Sequence, residues 1–285
     1  MRLLVFGQSG QVATELARRA PAAVFLSRDR TDLADPDACA TAIRAHAPDA
    51  VINAAAYTAV DRAEEDDALA MRINAKAPAV MARECASLGI PLVHISTDYV
   101  FDGSGTAPWH PDDTPAPQNA YGRSKLDGER VIVQVGGPHA ILRTSWVFSA
   151  HGANFLRTML RLSETHDALS IVDDQIGGPT PAADIAAACL AIAEQLRTDP
   201  GKSGTYHYSG TPDVSWKGFA EAIFALTERN VAISGIGTAD YPAAAQRPLN
   251  SRLDCMTTET VFALPRPDWR VGLRDVLTEL GEISA

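Results

Sequence analysis

The apolar run Leu3–Phe6 turns through Gly7-Gln8-Ser9-Gly10 directly into a helical stretch from Val12 to about Arg19. A strand that enters a helix through glycines leaves few architectures open, because the helix must cross back and the next strand then lies parallel to the first. The rest of the first half keeps this rhythm. Strands are expected at Ala23–Leu26, Asp49–Asn53, Pro91–Ser96 and Ala140–Thr144. Helices are expected at Pro36–Ala45, at the alanine-rich Ala68–Leu88 closed by Gly89, and at Tyr121–Gln134. Short apolar strands alternating with helices imply a parallel sheet covered on both faces. The expected fold class is therefore α/β, a doubly wound (Rossmann-type) parallel sheet with a smaller C-terminal substrate-binding lobe.

Beyond about residue 150 the rhythm loosens. Helix candidates at Asn154–Leu162, Ala182–Gln195 and Ser215–Thr227 are separated by segments such as Gly177-Gly178-Pro179-Thr180-Pro181. This pattern fits a lobe that closes on a substrate rather than another complete sheet. The expected division is 1–149 for the dinucleotide-binding domain, which also receives about 170–198, and 150–285 mainly for the substrate-binding lobe. At 285 residues and 46% hydrophobic, the chain can bury a core without staples. Its net charge of −10 argues against a nucleic-acid partner, which would need a surplus of Lys and Arg. An anionic small molecule needs only two or three placed cations. No run approaches the 18 or so apolar residues of a membrane span. Cys39, Cys85, Cys189 and Cys255 form no CxxC pair, and Met1–Phe6 lacks the long apolar core of a secretory leader. Reduced core cysteines and a cytoplasmic location are expected.

Gly7 suits the tight turn after the first strand, and Gly10 lets backbone approach a pyrophosphate at the helix N-terminus. Ala13 stands where simple dehydrogenases carry a third glycine. An ordinary strand–helix connection would read the same. The second strand ends Ser27-Arg28-Asp29-Arg30. An acid at the Ser27 position would accept from a ribose 2′-hydroxyl and repel a 2′-phosphate, whereas Ser27 with Arg28 or Arg30 suits the phosphate. NADPH is thus expected, with NADH left open because Asp29 is close. Asp32 and Leu33 are placed to line the adenine.

Tyr121 and Lys125 lie four apart on an expected helix and so share a face. A tyrosine can act as a general acid for a carbonyl if its phenol yields a proton near neutral pH. Moving its pKa from ~10 to ~7 takes roughly 4 kcal/mol of preference for the phenolate, which a neighbouring ammonium can partly supply. A surface Tyr and Lys at this spacing would also be unremarked by chance. Thr97 stands where the fourth strand leaves the C-terminal edge of the sheet, the edge where ligands bind in such folds. A hydroxyl there can hold a carbonyl beside the tyrosine. Asn53-Ala54-Ala55-Ala56-Tyr57-Thr58 offers small residues for a cofactor to lie against.

The glycine turn, NAAAYT (53–58), STDYVF (96–101), YGRSK (121–125) and RTSWVF (143–148), in this order, resemble the extended short-chain dehydrogenase/reductase family, and within it the branch of dTDP-4-dehydrorhamnose reductases. The resemblance runs from Leu3 to about Asp254 and continues more weakly through Leu264–Trp269. It implies an NAD(P)H-dependent oxidoreductase whose partner is a dTDP-4-keto-6-deoxy sugar, reduced at C4. It implies Tyr121 as proton donor with Thr97 and Lys125, and Lys125 also as a ligand of the nicotinamide ribose. It further implies Gly10, Gln11 and Val12 at the pyrophosphate, and Ala56, Tyr57 and Thr58 along the cofactor. Asp98 and Trp146 would face the sugar, although a tryptophan in RTSW also reads as core. Asn154 falls in a substrate-domain segment. Arg247 falls in a segment like RPxNSxL, well suited to the nucleotide pyrophosphate, with a structural arginine capping a loop as the alternative. Some bacterial relatives hold Mg²⁺ at a dimer contact through three glutamates. Glu15 and Glu279 fall at two of those positions, but Ala183, with Asp184 beside it, stands at the third. No metal ligand is therefore assigned, Mg²⁺ stays open, Glu15 is read as part of a solvated helix face, and monomer and homodimer both stay open. Two rival readings remain: an epimerase or dehydratase that retains its nicotinamide, and a non-catalytic dinucleotide-binding regulatory subunit.

Overall fold

The computed structural model describes residues 1–284. Leu3–Phe6 becomes β1, with all four side chains buried, as a strand covered on both faces requires. Helix α1 (Gln11–Arg19), β2 (Val24–Leu26), α2 (Pro36–His46) and β3 (Ala50–Asn53) follow. Asp35 opens α2 by accepting from the Asp37 and Ala38 amides, and Pro36 sits where a helix lacks a partner for its first N–H.

The expected helix Ala68–Leu88 is in fact broken. Helix α3 (Asp67–Met71) passes through a π turn at Arg72–Lys76 into α4 (Ala77–Leu88). Pro78 is the physical reason, since it has no N–H to offer the Asn74 carbonyl four residues back. The turn sets Asn74 facing the chain after β3, where its Oδ1 accepts from the Tyr57 amide at 2.8 Å. Its Nδ2 donates to the Tyr57 carbonyl at 3.0 Å and to Ser124 Oγ at 2.9 Å.

Then come β4 (Leu92–Thr97), α5 (Ala120–Val135), β5 (His139–Thr144), β6 (Val147–Phe148), α6 (Phe155–Ser163), β7 (Ala168–Val172), β8 (Ile176–Gly177), β9 (Thr180–Pro181), α7 (Ala182–Thr198) and β10 (Gly204–His207). The large sheet has the order β2-β1-β3-β4-β5-β10, with every neighbouring pair parallel. The chain winds outward from β1 to β2, then jumps across to β3. The crevice between the C-terminal ends of β1 and β3 is therefore the switch point where doubly wound sheets bind ligands. Strand β10 was not foreseen in the sequence, and residues 168–172 pair with a strand outside this sheet.

That strand belongs to the remainder of the chain: β11 (Val214–Ser215), α8 (Trp216–Leu226), β12 (Ala232–Ile236), β13 (Asn250–Ser251), α9 (Met256–Phe262) and α10 (Trp269–Glu279). Strand β12 pairs with β7, and β8 is flanked by β11 and β13. Three main apolar clusters stand out among the described residues, beside two smaller ones. Leu3 and Val5 of β1 pack with Ile185, Cys189 and Ile192 of α7, while Leu4 and Phe6 pack on the other face with Ile43, Met81 and Ile132. The third core joins Leu156, Phe219, Ile223, Trp269 and Leu273 in the lobe. No described helix is long and apolar enough to cross a membrane.

Helix α5 lies unusually close to the π turn, because a Cβ at Gly128 would press into the Asn74 carbonyl oxygen. Gly128→Ala is expected to lower unfolding free energy by about 1–3 kcal/mol through overpacking. Val133→Ala, on the exposed face of the same helix, should change it by less than about 0.5 kcal/mol. Denaturant titration of both variants checks this.

Candidate active site

A cleft of about 990 Å³ opens along the C-terminal edge of the large sheet, between β1 and β3 and under the lobe. At its floor Gly7 has φ +111, a conformation side-chain-bearing residues rarely adopt, and a Cβ there would crowd the Ala54 carbonyl. The Gly7 amide donates to the Leu26 carbonyl and the Ala54 amide to the Phe6 carbonyl, at 3.0 and 2.9 Å, which draws the ends of β1, β2 and β3 together. Helix α1 starts at Gly10 with no side-chain cap, and the space beside Gly10 is open. The first amides of α1 thus face the cleft with positive partial charge and no partner of their own. These features fit a dinucleotide pyrophosphate.

Gly10, Gln11 and Val12 line the cleft as expected. The Gln11 side chain is occupied in a second task. Its Oε1 accepts from Ser149 Oγ and Asn154 Nδ2, both at 2.9 Å, tying α1 to the lobe. At the far end lie Ser27, Arg28, Asp32 and Leu33. Arg28 is exposed and loosely paired with Asp32 at 3.5 Å, so its guanidinium is free to take another anion. Arg30 instead donates to the Phe25 carbonyl, and Arg28 is the arginine that borders the cleft. Ala56 and Thr58 line the middle. Tyr57 does not: its phenol donates to Asp66 Oδ2 at 3.1 Å and its ring packs beside Ala63 and Ala70. The Asn74 side chain holds the Tyr57 backbone through two hydrogen bonds, and the ring lies outside the lining of the cleft.

Thr97, Asp98, Tyr121, Lys125 and Trp146 meet in the same cleft, at the ends of β4 and β5 and the start of α5. Asn119 starts α5 by accepting from the Gly122 amide at 2.7 Å, which places Tyr121 in the first turn. Lys125, one turn later, is 2% exposed, and its Nζ donates to the Ile95 carbonyl at 2.7 Å and lies 3.1 Å from His94 Nε2. Burial pulls the Lys125 amine down to about 8, against the opposing pull of Glu129. Burial pushes the Tyr121 phenol above its ordinary value; the Thr97 hydroxyl opposes the rise and Asp98 adds to it. Thr97 Oγ donates to Asp98 Oδ1 at 3.1 Å, while Asp98 Oδ2 and Thr144 Oγ are buried without hydrogen-bond partners. Burial pushes the Asp98 carboxyl up to about 6, opposed by the hydroxyls of Ser251 and Thr97.

The remaining expected residues divide. Trp146 is half-buried at φ +50, its ring stacked on Trp216 at 3.6 Å, and both rings wall the cleft. Asn154 borders the cleft, but its polar atoms are spent. Its Oδ1 caps α6 by accepting from the Arg157 amide, and its Nδ2 donates to Gln11 and to the Ser149 carbonyl. Arg247 reaches the cleft held in a two-bond pair with Asp61, at 2.6 and 3.0 Å. Glu15 is not solvated. It is 5% exposed and paired with Arg18 and Arg19, and it meets Glu279 and His151 in a cluster whose ligand-type atoms lie within 4.8 Å. Arg18 also holds Glu279 at 2.6 Å, so both carboxylates carry guanidinium counter-charges in this arrangement. Sequence reading missed Trp216, Asp61 and His94; their partners are remote in the chain, and no local pattern announces them.

A family model described as "RmlD substrate binding domain" matches residues 1–282. A dTDP-4-dehydrorhamnose reductase of Sinorhizobium fredii is 41% identical over 98% of this chain and 98% of its own. One of Burkholderia thailandensis is 44% identical over 98% and 100%. Among solved structures, a dTDP-4-dehydrorhamnose reductase from Clostridium acetobutylicum superposes with TM-score 0.92 at 34% identity, covering 99% of this chain and 100% of that one. Another, from Bacillus anthracis in complex with NADP, gives 0.90 at 34%, covering 98% and 99%.

Asp98 supplies a stability test. Its carboxyl binds a proton more tightly folded (about 6) than unfolded (~3.9), so its contribution is full below about pH 4 and lost as pH rises through about 6. Between about pH 4 and 7 the wild type should lose roughly 2 kcal/mol more unfolding free energy than Asp98→Asn. Denaturant melts of both proteins across this range check it.

Proposed function

The chain belongs to the dTDP-4-dehydrorhamnose reductase family of NAD(P)H-dependent oxidoreductases, and from that premise we propose that it reduces the C4 ketone of dTDP-4-dehydro-L-rhamnose to dTDP-L-rhamnose with NADPH. The observation that carries the reading is the meeting of Thr97, Tyr121 and Lys125 in one cleft with the uncapped start of α1. Gly10–Val12, Arg28, Asp32, Ala56 and Thr58 would hold the dinucleotide, whose reduced nicotinamide supplies the hydride.

Reduction leaves an alkoxide at C4 that needs a proton, so the donor has to arrive protonated. A phenol pushed upward by burial meets that requirement better than one already ionised at neutral pH. Tyr121 gives up its proton as charge builds on the substrate oxygen, and the Thr97 hydroxyl steadies both that oxygen and the nascent phenolate. Lys125, on the same helix face, adds positive charge whenever its amine is protonated. The stacked Trp146 and Trp216 offer an apolar wall to a deoxysugar, and Arg247, oriented by Asp61, can share its guanidinium with the sugar nucleotide's diphosphate.

With NADPH and the ketosugar nucleotide, nicotinamide absorbance should fall in step with formation of the L-rhamno product. Tyr121→Phe should lower kcat about 10²–10⁴-fold while remaining folded; undiminished turnover would rule the role out. Arg28→Ala should raise KM for NADPH several-fold and leave KM for NADH nearly unchanged, since a solvent-facing arginine contributes a modest phosphate contact.

A further inference from the structure

Behind the cleft, Asn53 of β3, His94 of β4 and Lys125 of α5 form a buried polar row, 1%, 0% and 2% exposed. Its hydrogen positions follow from one fixed donor. The Ala55 amide can only donate, and it meets Asn53 Oδ1 at 3.2 Å. The other side of that amide group, Nδ2, therefore faces His94 Nδ1, at 3.0 Å. An NH₂ group can only donate, so Nδ1 carries the lone pair and a neutral imidazole keeps its hydrogen on Nε2. Burial and the nearby Lys125 both keep His94 neutral. Its Nε2–H then points at Lys125 Nζ, 3.1 Å away.

We propose that His94 is a positioning residue for the reduction: its imidazole, fixed in one tautomer by Asn53, directs a ring N–H at the Lys125 nitrogen and loosens that nitrogen's hold on its third proton. A neutral amine accepts the Nε2–H while still donating to the Ile95 carbonyl at 2.7 Å. An ammonium would set hydrogen against hydrogen. The other titratable groups around the amine do not cancel this. Glu129, one turn further along α5, favours the ammonium, but its carboxylate is taken by Arg143 of β5 at 2.7 Å and by the Ser96 hydroxyl of β4 at 2.5 Å. Tyr121, one turn back, is a neutral phenol, and Asp98, beyond the end of β4, spends Oδ1 on Thr97. The row thus gives the Lys125 nitrogen a ring N–H to accept from once its third proton has left, a contact the ammonium form cannot make.

This inference rests on the proposed role of Lys125, but its test does not require turnover. The chain has four lysines, Lys76, Lys125, Lys202 and Lys217, so labelled lysine signals can be assigned by substitution. In the full-length wild type, long-range ¹⁵N–¹H spectra should show His94 as the Nε2–H tautomer; the Nδ1–H tautomer overturns the proposal, whether or not any variant folds. In His94→Gln the amide can turn its oxygen to Lys125, and the lysine should then hold its proton about tenfold or more tightly. Its NMR titration, and any limb of the kcat–pH profile that follows it, should move upward together. A folded His94→Gln whose Lys125 titrates where the wild type does overturns the proposal even if activity is lost. Absence of ketosugar reduction in the wild type would count against the proposed reaction alone.

Discussion

A primary amine buried to 2% exposure has to find polar partners or lose more in dehydration than the fold can spare, and Lys125 finds them on the neighbouring strand. The Ile95 carbonyl and His94 Nε2 fix its nitrogen against β4, which fixes the height of α5 along that strand. Tyr121, one turn earlier, is consequently delivered to the end of β4, where Thr97 and Asp98 leave the sheet. The adjoining flank of the helix is held as well. Gly128 admits the Asn74 carbonyl, and Asn74 reaches from the π turn to both Ser124 and the backbone of Tyr57. A single irregular turn therefore couples the helix that carries the chemistry to the loop that borders the cofactor cleft.

The same economy appears in the charges. A chain at −10 would have to accept two anionic ligands, and of the cations lining the cleft Arg247 already holds the Asp61 carboxylate, while outside it Arg18 and Arg19 hold Glu15 and Glu279 and Arg143 holds Glu129. The uncapped amides of α1 and the loosely held Arg28 remain for phosphate, and neither costs a buried charge.

The parts of this architecture visible in the sequence are those with a short-range signature. Short apolar runs marked β1, β3, β4 and β5 within a residue or so, and the residues singled out by the glycine turn and the Tyr121/Lys125 spacing line one cleft. Strand β10, reading Gly-Thr-Tyr-His, has no apolar run; it is a strand because β5 offers it an edge. The π turn was hidden because Pro78 sits in an alanine-rich stretch that otherwise reads as continuous helix. The Trp146–Trp216 stack and the Arg247–Asp61 pair join residues far apart in the chain, as does the hold of Asn74 on the Tyr57 backbone. His94 was in plain view beside Thr97, yet only the packing of α5 on β4 joins it to Lys125.

The central claim is that the cleft presents Tyr121 as a protonated phenol, ready to donate, rather than as a phenolate already stabilised by its lysine. Six tyrosines make this measurable by ¹³Cζ-tyrosine NMR, with Tyr121 assigned from the Tyr121→Phe variant. The geometry predicts that the Tyr121 signal keeps its phenol position from about pH 6 to 10, above the ordinary tyrosine value of ~10 before it moves. A tyrosinate signal with a midpoint near pH 7 would contradict it.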